Sequence, residues 1–547
     1  EKEKFPREHI GESQLPGVCY VLHEMGAWDK VEAAGFPIKI GAVLTWGAQN
    51  ETWDFEFLPV EDYVDEPRPG RYEGQRTRLA FQVDRAIYDN ILLRHAEEMG
   101  AEVFEETMVQ SVEKEGDRIT GFVLSDGRRI TADWYVDGSG VHSVIRKAMG
   151  VGRWEPEQLR NIAIWDYWQN TEWAERIGVG ATRIQIRSLP HGWMWFIPLG
   201  PTRTSIGLVC PSEHYKRLGK SPEDLYLESV AMQPMISRLT AGATRENLLT
   251  SCKDWSHLAD RITGENWLLV GEAAGFADPI LSAGMNIAHK MGLDAAYTIL
   301  ELRRGIHEAD WLLQRYNDSN RTSISQHIAF AQFWYSSNGC LTDLKDHCAM
   351  IAREGGLPLS PDAAWSWLAR GGFASENPEM SFFGSFNVAT AKGVLERLLG
   401  ERSDYCFNRF NTFRLDTSNS TSGAVGHLKN GAIEKVPCFV RGEASLPRVG
   451  FYKRVMDTLA RHSDVSEILT YWQKEVLPTI PAPRREFFYS NLLMALEAMV
   501  TEGWVKGSRD PSRPVIEGGK AKMIRLSSET HASIQAKADA PTYQKNY

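Results

Sequence analysis

The chain has 547 residues, 43% of them hydrophobic and 24% charged, which is the composition of an ordinary globular protein with room for two or three domains and a sizeable core. Its 61 Lys and Arg against 71 Asp and Glu give a formal charge of −10, with no long basic run to track phosphates, so nucleic acid is not an expected partner. Seven scattered cysteines, Cys19, Cys210, Cys252, Cys340, Cys348, Cys406 and Cys438, form no C-x-x-C pair. That argues against a disulfide framework or a zinc site and fits a reducing, cytoplasmic setting. No stretch approaches the roughly 18 consecutive apolar residues of a membrane span, and no signal peptide opens the chain.

The chain begins at Glu1-Lys2-Glu3-Lys4 without an initiator Met and reads as if entered in mid-fold. Over 80–104 the spacing of Ala86, Ile87, Ile91, Leu92 and Ala96 predicts a helix, stopped by Gly100 and followed by a short strand at Ala101–Phe104. Strands are predicted at 107–113, 118–124 and 129–136, with an Asp126-Gly127 turn, the run ending in Val136-Asp137-Gly138-Ser139-Gly140. Aromatic and β-branched runs from about 160 to 210 predict a mostly antiparallel sheet, and 222–240 a helical stretch. Trp267-Leu268-Leu269-Val270 has the length and character of a buried parallel strand. From about 284 the pattern is helical for some sixty residues. After about 350 it passes through Pro, Gly and Ser-rich stretches such as 354–361 and 416–423, which marks a further unit with amphipathic stretches at 448–475 and 484–504. The implied domains are 1–345, a mainly helical 346–526, and a polar tail at 527–547 expected to be disordered.

Small residues and acids after the predicted buried strand, Gly271-Glu272-Ala273-Ala274-Gly275 and Asp278-Pro279, would let a backbone approach a phosphate or a flavin side chain. A tight strand-to-helix turn looks the same, so this motif alone leaves both readings open.

Five stretches taken together resemble the FAD-dependent monooxygenase superfamily and, within it, the flavin-dependent halogenases. They are Glu1 to Pro16 (EKEKFPREHIGESQLP), Phe36 to Gly47 (FPIKIGAVLTWG), Gln82-Val83-Asp84-Arg85, Trp193 to Pro198 (WMWFIP) and Gly271 to Ala288 (GEAAGFADPILSAGMNIA). The resemblance implies an α/β fold: a Rossmann-like FAD-binding domain of the hydroxylase type, with an inserted antiparallel sheet and a mainly helical C-terminal domain. It also implies that Glu1 stands at the acidic position that binds the adenosine ribose, and that a first βα unit of about 30 residues carrying the GxGxxG turn is missing upstream. Arg7, Ser13, Arg85, Asp137, Gly271, Glu272, Asp278, Pro279, Gly284, Met285 and Asn286 are then expected around the FAD.

In this resemblance Lys39 is the residue expected to carry the chemistry, receiving hypohalous acid and presenting it to the substrate. A lysine at a strand edge usually points to water, and a buried ammonium is costly unless a partner or a function retains it. Trp193 and Trp195 fall on one face of a strand that ends at Pro198, and they would wall the flavin off from the substrate. A tryptophan pair in a strand is otherwise commonly plain core. Ser282, expected with Lys39 in the catalytic set, forms with Ala283 and Gly284 the expected halide site, a nest of amides at a helix start, and it is also placed to cap that helix.

The tryptophan halogenases carry a Glu where this chain has Leu281, and a Thr where it has Ala283. A substrate activated by its own hydroxyl or pyrrole nitrogen is the implied class. The resemblance further implies reduced FAD supplied by a separate flavin reductase, O2, chloride or bromide as co-substrate, no metal, and an aromatic substrate that is free or tethered to a carrier. Met285-Asn286 matches the Gly-Met-Asn of aromatic hydroxylases and keeps open a monooxygenase or reductase of the same fold. A last helix followed by Gly503-Trp504-Val505-Lys506-Gly507 has a winged-helix look, which keeps open a binding role for the C-terminal domain.

Overall fold

The computed structural model describes residues 1–48, 51–178, 180–354, 360, 388–400, 405–442, 444–482, 485–514 and 524–526. The polar tail at 527–547 and most of 354–361 lie outside the described residues. The chain divides into two compact units. The first combines Glu1–Ala296, His327–Arg353 and Met523–Tyr547, and the second Tyr297–Gln326 and Glu354–Lys522.

In chain order, helix α1 (Pro16–Glu24) opens with proline at its first turn, where the missing N–H costs nothing. Strands β1 (Ile38–Thr45) and β2 (Thr52–Glu56) follow. Helix α2 (Arg85–Glu98) is capped by Asp84, whose carboxylate accepts from the Ala86 amide. The predicted strand at Ala101–Phe104 does not form: after Gly100, at φ +99°, the chain is irregular. Propensity gave those residues a strand, but none of them finds a ladder partner. The hairpin β3 (Val109–Glu115) and β4 (Arg118–Leu124) forms as predicted, with Gly127 in the left-handed region at the Asp126-Gly127 turn beyond it. Strand β5 (Tyr135–Asp137) then runs into the Gly138–Gly140 loop.

The long strands β6 (Asn161–Gln169), β7 (Ala181–Leu189), β8 (Gly192–Pro198) and β9 (Arg203–Pro211) fall in the predicted 160–210 region. Helix α3 (Pro222–Met232) and the helix Pro234–Thr240 answer the predicted 222–240 stretch. They cover one face of the sheet, where Ile162, Ile164, Met194, Phe196, Ile206 and Leu208 pack with Leu225, Tyr226, Ile236 and Leu239. Strand β10 (Trp267–Leu269) pairs in parallel with β5, as its continuous apolar run predicted. Helices α4 (Gly284–Arg304) and α5 (Ala309–Ser336) complete the helical run.

The main sheet has the order Thr244–Arg245, β6, β9, β8, β7, β1, β2 and Ile524–Leu526. Every neighbouring pair on this path is antiparallel except β7 and β1. In that parallel pair Lys39 lies opposite Thr182 and Gly41 opposite Arg183, so Ile40 is an extra residue, a bulge in β1. Thr182 and Arg183 point to opposite faces, and therefore so do Lys39 and Gly41. Gly41 has no alternative at its position: a Cβ there would stand 2.1 Å from the Phe55 carbonyl oxygen.

In the second unit helices predominate among the described residues, and strands accompany them. A three-stranded antiparallel sheet joins β11 (Thr421–Lys429), β12 (Ala432–Arg441) and Ala444–Pro447, and Thr412–Leu415 pairs with Val505–Ser508. Helices α6 (Gly450–Leu459) and α7 (Arg485–Thr501) lie in the two predicted amphipathic stretches. Lys392 and Glu497 form a buried ion pair there, and Glu497 also accepts from the Cys406 amide at 2.7 Å.

Candidate functional site

The bulge decides where Lys39 points. Because Lys39 shares a face with Thr182, it shares it with Ile184 and Ile186 and, through the Ile186–Trp195 pair, with Trp195 and Trp193. The same face continues across Gly207 and Ser205 to Trp165 and Tyr167. Two sequence-distant motifs, the Phe-Pro-x-Lys stretch and WMWFIP, thus meet on one side of one sheet.

Lys39 is 2% exposed. Its ammonium donates to the Gln14 carbonyl at 2.9 Å and lies 5.4 Å from the centre of the Phe57 ring. Burial lowers its pKa from 10.5 to about 7, because the charged form loses its hydration. At neutral pH it therefore exists as both ammonium and free amine. Gln14 is held for this contact by an extended segment: the Gln14 amide donates to the Phe81 carbonyl, and the Val83 amide to the Glu12 carbonyl.

Trp193 and Trp195 stand with ring centres 6.0 Å apart. Gly207 makes room for the second indole, since a Cβ there would lie 2.1 Å from the Trp195 ring. Each indole N–H leads through a hydroxyl toward a buried carboxylate. Trp195 Nε1 donates to Ser205 Oγ at 3.0 Å, and Glu12 accepts from Ser205 and from the Tyr167 hydroxyl at 3.1 Å. Burial raises the Glu12 pKa to about 7 against the opposing pull of those donors. Trp193 Nε1 donates to the Tyr335 hydroxyl at 2.8 Å, and Tyr335 donates to Asp278 Oδ1 at 3.1 Å. Trp46 closes this end with edge contacts to Trp193 and Tyr335. Pro198 is buried at the end of β8.

Asp278 is fully buried, and burial raises its pKa to about 6. Its carboxylate is taken up by protein donors: the Ile280 amide and Tyr335 on one oxygen, Asn161 Nδ2 and Trp255 Nε1 at 3.4 Å each on the other. The turn Pro279–Leu281 then leads to Ser282 at φ +52° and to Gly284, the first residue of α4. Gly284 lies against the Phe276 ring, where a Cβ would stand 2.7 Å away. Ala283 is buried beside it.

The parallel pair β5 and β10 brings two loops together at its C-terminal end, the place where open α/β sheets bind ligands. Asp137 organises the first loop, accepting from the Ser139 amide at 2.9 Å and the Ile145 amide at 2.8 Å. Gly271 turns the second at φ +57°, and Glu272 Oε2 lies 3.7 Å from where a Cβ of Gly140 would be. Burial raises the Glu272 pKa, while Arg85 opposes the rise. Arg85 is bidentate to Asp89 and donates to the Ile10 and Gly11 carbonyls; Arg7 joins it on Asp89 at 3.1 Å. Glu1 is exposed, and its backbone bonds run to Phe104 and Thr107.

A flavin-sized polar ligand has unmet partners waiting here. Ser13 Oγ, both amide atoms of Gln82 and Asn286 Oδ1 are buried without a hydrogen-bond partner among the described residues. Buried polar atoms are rarely left so. Ser13 and Gln82 face each other in an antiparallel bridge, and Gly17 at the start of α1 lies so close to Asn286 Oδ1 that a Cβ would clash at 2.3 Å. Met285 packs into the adjoining core. His289 Nδ1 bonds the Met285 carbonyl at 2.7 Å, and its Nε2 bonds the Tyr88 hydroxyl at 2.7 Å.

Sequence reasoning singled out Lys39, both tryptophans and the Asp278–Asn286 turn, and it missed Glu12, Gln82, Tyr167 and Tyr335. Glu12 had a legible signal, since it lies in the Glu1 to Pro16 stretch that carries the resemblance, just ahead of the proline that opens α1. Tyr335 had none, since its role depends on a contact 57 residues away along the chain.

Comparison with known proteins agrees with this geometry. The chain is 32% identical over 313 residues to tryptophan 2-halogenase of Chondromyces crocatus, an overlap that takes in 56% of each protein. It is 29% identical over 358 residues to the 1H-pyrrole-2-carbonyl-(peptidyl-carrier protein) chlorinase of Pseudomonas fluorescens, covering 62% of this chain and 78% of that one. The chain spans just over half the length of the first of these relatives. The crystal structure of CmlS, a flavin-dependent halogenase, superposes on 95% of this chain and 93% of its own with a TM-score of 0.69 at 22% identity, which establishes the fold. The myxobacterial chondrochloren halogenase CndH superposes on 73% of this chain and 90% of its own, with a TM-score of 0.55 at 26% identity. The family model described as tryptophan halogenase matches residues 64–343, a span that holds both tryptophans, Gln82 and the Asp278 turn, and the chain belongs to that family.

Proposed function

We propose that this chain halogenates an electron-rich aromatic ring of the phenol or pyrrole type, using reduced FAD from a separate reductase, O2, and chloride or bromide. The observation that carries the reading is Lys39: a buried lysine with a pKa lowered to about 7, aimed by a strand bulge onto the face that presents Trp195. The residues present fit a flavin. Ser13, Gln82 and Asn286 supply unpaired polar atoms for its ring edge, and Gly17 and Gly284 allow close approach. The loops at Asp137 and at Gly271–Glu272 would hold its phosphates and ribose hydroxyls. Reduced flavin, when bound, would supply the two electrons that bring O2 to the peroxide level, at which it oxidises halide to hypohalous acid.

The protein's own groups do the rest. Backbone amides at Ala283 and Gly284 hold the halide, the Ser282 amide being already given to the Pro279 carbonyl at 2.9 Å. The indoles of Trp193 and Trp195, fixed through Tyr335 and Ser205, keep the aromatic substrate away from the flavin. Lys39 holds hypohalous acid by a hydrogen bond from its ammonium, or as the haloamine when neutral, and presents the halogen to the ring. A relative named for a carrier-bound pyrrole supports a carrier-tethered substrate as one form of delivery.

The test supplies the chain with FAD, a flavin reductase, NADH, bromide or chloride and a panel of phenols and pyrroles, and follows product mass. Brominated or chlorinated product that disappears in Lys39→Ala is the expected result. Oxygenated product that survives Lys39→Ala would move the protein to the monooxygenases.

A further inference from the structure

The bulge in β1 turns Lys39 away from the charged side of its own sheet. We propose that Arg183 is a positioning residue for Lys39: by holding Asp54, Glu56 and Glu175 on the opposite face, it denies those carboxylates to the lysine and so keeps the bulge that aims it toward Trp195. Its importance for catalysis rests on the role of Lys39 proposed above, while its test reads the lysine itself.

The two faces of the sheet at β7, β1 and β2 differ in charge. Thr182, Ile184 and Ile186 stand on the face of Lys39, where the ammonium meets the Gln14 carbonyl, the Phe57 ring and no carboxylate among the described residues. The opposite face carries Arg183, Gln185 and Arg187 from β7 and Asp54 and Glu56 from β2. Arg183 Nη1 lies 2.7 Å from Asp54 Oδ2 and 3.2 Å from Glu56 Oε1, and Nε and Nη2 donate to the two oxygens of Glu175 at 2.8 and 2.7 Å. Gly41 is the ladder partner of both Arg183 and Glu56, so the guanidinium reaches across β1 at a residue without a side chain. Glu175 is tied to the bulge a second time: its backbone carbonyl accepts at 3.1 Å from the hydroxyl of Thr182, the ladder partner of Lys39.

Without the bulge the β1–β7 ladder would run in regular register, with Ile40 opposite Thr182 and Lys39 opposite Ala181. A slip of one residue turns side chains to the other face, and Lys39 would then stand on the side of Arg183. That register attracts a buried ammonium with no counterion where it is, because opposite charge offsets lost hydration. It also returns the extra residue, Ile40, to the ladder. Against these two effects stands Arg183, which already meets the carboxylates with the planar fork that fits them and repels a second cation beside it. Arg187 is no substitute, since it donates to Thr45, Thr52 and Gln185 and makes no ion pair among the described residues.

The experiment enriches the lysines of the full chain with carbon-13 at Cε and follows their titration by NMR, the Lys39 signal being the one absent from Lys39→Met. In the wild type the midpoint is expected at about 7, set by burial. In Arg183→Met it is expected at or above the ordinary 10.5, which lowers the free amine at pH 7 from about half of the molecules to about one in 3,000 or fewer. Loosened packing that admits water would also raise the midpoint, so a second variant removes the attraction. Arg183→Met combined with Asp54→Asn, Glu56→Gln and Glu175→Gln should titrate near 7 again. Urea unfolding at pH 7 gives an independent sign: Lys39→Met is expected to stabilise the wild type and to destabilise Arg183→Met, where the lysine has carboxylates to pair with. A midpoint that stays near 7 in Arg183→Met, or stays high once the carboxylates are neutral, overturns the assignment while leaving halogenation untouched. The same holds for a Lys39→Met effect of one sign in both backgrounds. A wild-type midpoint near 10.5 overturns the account of Lys39 as a buried amine and the role of Arg183 with it. Should Arg183→Met not fold, Arg183→Met/Asp54→Asn takes its place, with two carboxylates left to draw the lysine, and the same outcomes decide.

Discussion

Lys39→Met is predicted to stabilise the protein at neutral pH while abolishing halogen transfer. The ammonium is buried with one described hydrogen bond, and its pKa falls from 10.5 to about 7 on folding through loss of hydration. At about 1.4 kcal/mol for each tenfold change in proton affinity, holding the charged form costs the fold about 5 kcal/mol below pH 7. Between about 7 and 10.5 the unfolded chain binds more protons than the folded one, so stability rises with pH, and the cost vanishes above 10.5. Methionine fills similar space but leaves the Gln14 carbonyl unpaired, a loss of about 1 to 3 kcal/mol. The net expected gain is therefore about 2 to 4 kcal/mol at pH 7, turning to a small loss near pH 10.5. Urea unfolding followed by the tryptophans around β8, run at several pH values on both proteins, measures the difference. A variant that is less stable at pH 7, or whose difference from wild type does not change between pH 7 and 10, would refute the account of Lys39 as an unpaired buried cation.

Gly207→Ala sets a methyl against the Trp195 indole and should lower stability by about 1 to 3 kcal/mol, read by thermal unfolding, with bromination falling alongside as the indole is displaced. Asp278→Asn should be tolerated best above pH 6. Burial raises the Asp278 pKa from 3.8 to about 6, so the stability the protonated acid contributes is full below 3.8 and lost as pH rises through about 6, whereas an amide does not titrate. A denaturation midpoint for Asp278→Asn that tracks the wild type across pH 4 to 7 would contradict this. Arg183→Leu leaves Asp54, Glu56 and Glu175 facing one another where they had shared one buried guanidinium, and about 3 to 5 kcal/mol should be lost, visible as reduced soluble yield and an earlier urea midpoint.

The sequence made legible those parts of the fold that repeat a pattern locally. The strands from Asn161 to Pro211 and the parallel strand at Trp267 announced themselves by aromatic and β-branched runs. Ala101–Phe104 carried a similar local signal and no strand formed, because a strand exists only where another accepts its hydrogen bonds. The same limit governs the site. Lys39 and WMWFIP were recognisable as short motifs, but nothing in either showed that they share a sheet face, which depends on one extra residue, Ile40, in the pairing of β1 with β7. Alternation alone would have put Lys39 on the side of Gly41. Glu12, Tyr167 and Ser205 come from three separated stretches and form a unit only through side-chain hydrogen bonds that no spacing rule encodes.

The short strand Ile524–Leu526 has a practical meaning for anyone shortening this chain. It lies against Phe55, Asp54 and Trp53 and occupies the outer hydrogen-bonding edge of β2, the strand whose other edge holds β1 and Lys39. A version ending near residue 514 would bare a row of peptide groups flanked by Trp53 and Phe55, a template on which a second molecule can add a strand. The last residues worth keeping for a well-behaved preparation are thus set by an edge far beyond residue 343, where the family-matched span ends, because they protect the lysine's own sheet.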